Sequence, residues 1–165
     1  MDYCVPGMAL IPQKSKMACW YASAQMLVQW HREKFQRTDM DLPDPSEVPG
    51  LQALMQKDTG ISDTQIVSAA KQLGLQLIPP MSPLPQTLLS WLKRYGPLWI
   101  NGYRHITVMA GIRDTKTDTE LLIYDPAPVG VGKIEWRSLP GWYIGDSWSG
   151  RDTTTNSGVF MYNPA

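Results

Sequence analysis

The chain has 165 residues, the length of one ordinary domain, with 43% apolar and 18% charged side chains, enough to bury a core without disulfide staples. Its 15 basic and 15 acidic residues cancel, and no Lys/Arg cluster or basic–aromatic stripe offers a surface to nucleic acid or an anionic membrane. Two cysteines and two histidines without C-x-x-C or H-x-x-x-H spacing argue against a zinc site, and no apolar run is long enough to span a bilayer.

The start, "MDYCVPGMALIPQ", lacks the basic and apolar regions of a signal peptide. The expectation is a protein that acts in the cytoplasm or is delivered into a target cell by a secretion system, or a domain cut from a longer polypeptide. Residues 1–12 contain Pro and Gly and read as extended. From Ala18 to about Arg32 there is no Gly or Pro, and Ala22, Met26 and Trp30 recur every four residues with Cys19 and Leu27 beside them, which predicts a helix. "RTDMDLPDPSEVPG" reads as a solvated acidic loop.

"PGLQALMQKDTG" predicts a short helix that Gly60 ends. "SDTQIVSAAKQLG" predicts a capped helix with Ile66, Val67, Ala70 and Leu73 on its inner face and Gly74 as the stop. "LPQTLLSWLKRYG" predicts another, with Leu88, Leu89 and Leu92 inward and Gly96-Pro97 as the stop. After Pro97 the period becomes strand-like, in "LWING", "HITVMAGI", "ELLIYDP", "GKIEW" and "GVFMYN". Helices first and strands second predict an α+β domain with an antiparallel sheet. The expected organisation is a single domain over residues 1–165, helical over about 13–96 and sheet over about 97–165.

The chemistry centres on Cys19 at the predicted start of the first helix. Thiolate is the nucleophilic form of cysteine, and both a helix N-terminus and a neighbouring imidazole favour it. His31 lies twelve residues along the same helix, roughly 18 Å away at 1.5 Å per residue, and is expected to face solvent near the helix end. His105, at the start of "HITVMAGI", is therefore the candidate base. A third group must hold the imidazole in its useful tautomer. Asp125 ends the strand that the turn "RDTKTD" joins to the His105 strand, and a hairpin sets the start of one strand beside the end of the next. A tetrahedral intermediate needs a donor for its oxyanion; the Cys19 backbone N–H and the Gln13 side-chain amide are the candidates.

Together these residues resemble the papain-like cysteine proteases. Gln13 matches that family's oxyanion glutamine, Cys19-Trp20 the nucleophile and the tryptophan that follows it, His105 the histidine opening a core strand, and Asp125 the third member. "GPLWING…HITVMAGI…LLIYDP" looks like the compact bacterial branches, bacteriocin-leader peptidases and papain-type effectors of plant pathogens, over about residues 11–126. "GDSWSG" at 145–150 echoes the signature that carries the third triad residue in larger relatives and makes Asp146 a rival to Asp125. The resemblance implies a papain-like fold and hydrolysis of peptide bonds in a protein or peptide substrate through a thioester. It implies no cofactor and no metal, and as partner a proteinaceous inhibitor or immunity protein. The same triad runs amidase, deamidase and transglutaminase chemistry, and a binding module on a dead protease fold is the reading from another class. Trp20, Trp30, Trp91 and Trp99 read as core, with Trp20 also a candidate substrate contact. Trp136, Trp142 and Trp148 read equally as core or cleft wall, and Cys4 as structural.

Overall fold

The computed structural model describes residues 1–36, 43–79, 81, 83–102, 105–141 and 160–164. Its elements are β1 (Asp2–Cys4), α1 (Cys19–Phe35), α2 (Pro49–Lys57), α3 (Asp63–Gln72), β2 (Gln76–Ile78), α4 (Pro85–Tyr95), β3 (Leu98–Gly102), β4 (His105–Asp114), β5 (Thr119–Asp125), β6 (Lys133–Ser138) and β7 (Phe160–Tyr162). Among the described residues seven strands form one antiparallel sheet in the order β2-β7-β3-β4-β5-β6. β3 pairs with the first half of β4, and β1 takes up the same edge from Gly111 to Arg113. The architecture is the α+β one expected, with two short strands that the sequence pattern does not reveal: β1 and β2 have three residues each, too few for alternation to register.

α1 is the central helix. Trp20, Ala24, Leu27 and Val28 join one core cluster with Ile66 and Ala70 of α3, with Leu73 at its C-cap, and with Trp99, Ile106 and Val108 of the sheet. A helix lying between a sheet and other helices is buried on several sides, and α1 accordingly buries more than the single stripe its spacing predicts. Ser23, fully buried, donates to the Ile106 carbonyl at 3.3 Å, and the Trp99 indole N–H donates to the Trp20 carbonyl at 3.1 Å. These bonds hold the first turns of α1 beside the start of β4.

Several expectations change in detail. α2 ends at Asp58, whose φ of 53° closes the helix two residues before Gly60. On α3 the inward residues are Ile66, Ala69, Ala70 and Leu73, while Val67 is 46% exposed because it lies a sixth of a turn or more outside that i, i+3, i+4, i+7 stripe. His31 is buried rather than solvent-facing, beside the rings of Trp30 and Phe35. Asp44, in the loop read as solvated, is 4% exposed and accepts hydrogen bonds from Gln25 and Gln29 of α1 at 3.1 and 3.3 Å.

Gly96 stops α4 at φ 82°, and a Cβ built there would lie 2.3 Å from the Trp30 ring. Gly74 has a similar φ of 67° but nothing within 4 Å of its Cβ position. Gly96→Ala should therefore cost about 2–4 kcal/mol in urea unfolding, from overpacking added to backbone strain, against about 1 kcal/mol for Gly74→Ala. Equal losses would mean that the Trp30 contact is not what demands glycine.

Candidate active site

Cys19 is the first residue of α1, half-buried, behind Ala18 as N-cap. α3 begins with Ser62, whose hydroxyl caps the helix start; alanine has no side-chain oxygen, so the first N–H groups of α1 are left for another acceptor. The approach to Cys19 is clamped from two sides. Gln13, 3% exposed, donates both hydrogens of its side-chain amide, to the carbonyls of Ser15 and Lys16 at 2.9 Å each. The Met17 N–H donates to the Asp58 carboxylate at 2.7 Å, tying the loop to the end of α2.

His105 opens β4 and Asp125 closes β5, and a β-bulge brings them to one face. From the turn, β4 and β5 pair as Asp114↔Thr119 through Gly111↔Leu122; beyond Ala110 the register slips by one residue to Met109↔Ile123 and Val108↔Tyr124. Continued, it sets Asp125 opposite Thr107, two residues from His105 and so on the same face. Without the extra residue Asp125 would oppose Val108 and point to the other side, because a one-residue slip turns every side chain over. The Val5 N–H bonds the Ala110 carbonyl at 2.8 Å, so the segment after β1 holds the bulge. Gly111 allows the squeeze there: a Cβ would sit 3.0 Å from both the Tyr3 carbonyl oxygen and the Leu122 side chain.

His105 Nε2 lies 2.6 Å from Asp125 Oδ1. Cys19 is near enough to the same imidazole to favour its charged form. Burial opposes a charge on His105, but the hydrogen bond with Asp125 and the nearby Cys19 outweigh it and raise its pKa to about 9. Asp125 is 2% exposed. Burial works against its ionisation, and the bonds from His105, the Ala127 N–H at 2.9 Å and Arg137 at 2.7 Å override that and keep its carboxyl below the usual range. Arg137, on β6, is absent from the sequence reading. Its strand neighbours Lys133 and Glu135 make "KIEWR" look like an ordinary charged edge face, and the residue paired with Asp125 is Lys133, not Arg137.

The backbone of Gln13 bridges the two halves of the site: its N–H donates to the Pro126 carbonyl and its carbonyl accepts from Gly130, each at 2.9 Å. Both side-chain amide hydrogens are held by the Cys19 approach loop, and Oε1 is buried without a hydrogen-bond partner among the described residues. Trp20, expected as core and as a candidate substrate contact, is 2% exposed and joins the central core cluster. Trp136 is half-buried under the Arg113 guanidinium, 4.1 Å from its ring centre. Asp146, Trp142 and Trp148 lie outside the described residues. Cys4 is exposed on β1. Among the described residues no three His, Cys, Asp or Glu side chains gather as metal ligands, and no helix is long and apolar enough to cross a membrane.

A carboxyl held below its usual range stabilises the fold above about pH 4, the unfolded value, and that contribution is lost as pH falls through the lowered folded value. Asp125→Asn should therefore be less stable than wild type at neutral pH yet lose less stability between about pH 4 and pH 2. Parallel acid-denaturation curves would show that Asp125 is not a stabilised carboxylate.

A sequence model described as papain-like cysteine protease AvrRpt2 matches residues 3–136. No curated protein matches the sequence. Among solved structures, the crystal structure of UfSP from C. elegans superposes with a TM-score of 0.61 at 16% identity. The match covers 98% of this chain but 33% of that one, so the likeness is one of fold. With a family match over most of its length, the chain belongs to the AvrRpt2 family of papain-like cysteine proteases.

Proposed function

We propose that the protein hydrolyses peptide bonds of a protein substrate with Cys19 as nucleophile, His105 as base and then acid, and Asp125 as the group that orients the imidazole. The observation that carries this reading is the 2.6 Å bond between His105 Nε2 and the buried Asp125, at an imidazole whose charged form Asp125 and the nearby Cys19 both favour. His105 takes the thiol proton of Cys19. The Cys19 thiolate attacks the substrate carbonyl carbon, and the C=O electron pair moves to oxygen. The oxyanion collapses as the C–N bond breaks, and the leaving amine takes the proton from His105. Water then attacks the thioester, gives a proton to His105, and the acid leaves as Cys19 is restored.

The first N–H groups of α1 are the oxyanion donors in this reading. Gln13 would join them by releasing one of its two loop carbonyls, a change that also gives the buried Oε1 freedom to turn. The kinship with AvrRpt2 supports a bacterial effector or toxin role, and with it a proteinaceous inhibitor in the producing cell; a chain that is active in vitro but harmless when expressed without a partner would count against that role.

The deciding experiment is alkylation by iodoacetamide across pH on wild type, Cys19→Ala and His105→Ala, with the modified site mapped by mass spectrometry. Cys19 should react at least about tenfold faster than Cys4 below pH 7, and His105→Ala should abolish the advantage. Peptide hydrolysis should fall by at least about a thousandfold in either variant. Equal reactivity of the two cysteines would remove the nucleophile from this reading.

A further inference from the structure

We propose that Arg137 is a positioning residue of this site, one that sets the basicity of His105 through its hold on Asp125. The inference rests on the Cys19–His105–Asp125 reading. Arg137 Nη2 donates to Asp125 Oδ2 at 2.7 Å while Oδ1 faces His105, so the two carboxylate oxygens are divided between a permanent cation and a switchable one. Both side chains are sheltered, Arg137 at 18% and Asp125 at 3% exposure, where charges are poorly screened. The division answers a problem in the cycle. Each time His105 gives up its proton, a buried carboxylate would be left without a countercharge; arginine never deprotonates and keeps Asp125 ionised throughout. The same positive charge also competes with the imidazolium for Asp125, which keeps His105 able to release its proton to a leaving group.

Among the described residues the charged groups around the pair are few. On β6 Glu135 accepts from Arg137 Nε at 2.6 Å and Nη2 at 2.5 Å, and Lys133 lies 3.4 Å from Glu135. α1 contributes Cys19, while Lys14 and Lys16 on the approach loop are exposed. β3 and residues 126–132 carry no titratable side chain. Glu135 is therefore a rival acceptor that draws Arg137 away from Asp125, and the two flanking residues should act on His105 in opposite directions.

Iodoacetate tests this, because its negative charge makes Cys19 alkylation depend on the imidazolium, so the alkaline fall of the rate reports loss of the His105 proton. Arg137→Gln leaves Asp125 wholly to His105 and should move that fall upward by about one pH unit. Glu135→Gln, at a side chain 37% exposed, should move it downward by roughly half a unit, by removing an anion and concentrating Arg137 on Asp125. Shifts of opposite sign support the proposal, and if Arg137→Gln does not fold, the downward shift in Glu135→Gln supports it alone. Unmoved profiles, or both moving the same way, overturn it, because a residue that merely braces β6 would alter the rate and not the titration. A wild-type profile with no His105-dependent alkaline fall would instead sink the Cys19–His105 reading itself.

Discussion

A carboxylate with 2% of its surface exposed can remain charged only if countercharges and N–H groups come within hydrogen-bond reach, and the construction of this site follows from how Asp125 meets that demand. Its partners come from three parts of the chain: His105 from β4, Arg137 from β6 and the Ala127 N–H from the segment that follows β5. Taking away one member of such a buried set typically costs about 3–5 kcal/mol, because the others are left uncompensated. The strands that bring these groups together are thus coupled through one side chain, which is also the partner of the His105 imidazole.

The second half of the site is backbone. Cys19 sits where it does because α1 starts there, and α1 is held by its burial between the sheet and α3 and by hydrogen bonds from Ser23 and Trp99 to main-chain carbonyls. The loop before it is clamped by Gln13 and Asp58. Gln13 also bonds the segment beyond Asp125 through its own backbone, so one residue ties the loop that leads to Cys19 to the segment that follows Asp125. Supporting groups of this kind keep reacting atoms in register to within fractions of an ångström.

The bulge at Ala110 links fold and chemistry. The hairpin logic that pairs His105 with Asp125 is correct about proximity along the strands, but proximity is not enough when side chains alternate between faces. An extra residue four positions before the end of β4 inverts the parity of everything beyond it, and that parity puts carboxylate and imidazole on one side. The contacts that hold the bulge come from Val5 and Tyr3, more than a hundred residues earlier in the chain.

Much of this was legible in the linear order of residues. The helix from Cys19, the strands "LWING", "HITVMAGI" and "ELLIYDP", and the pairing of a helix-start cysteine with a strand-start histidine all rest on local periodicity and on the chemistry of single side chains. Those signals are carried by neighbours within a turn or a strand, so they survive without knowledge of the fold. The bulge parity, the burial of His31 and Asp44, the exposure of Val67, and above all the grip of Arg137 on Asp125 were decided only in three dimensions. Each depends on a partner many residues distant, and the partner of Asp125 is not even the residue its strand register places opposite.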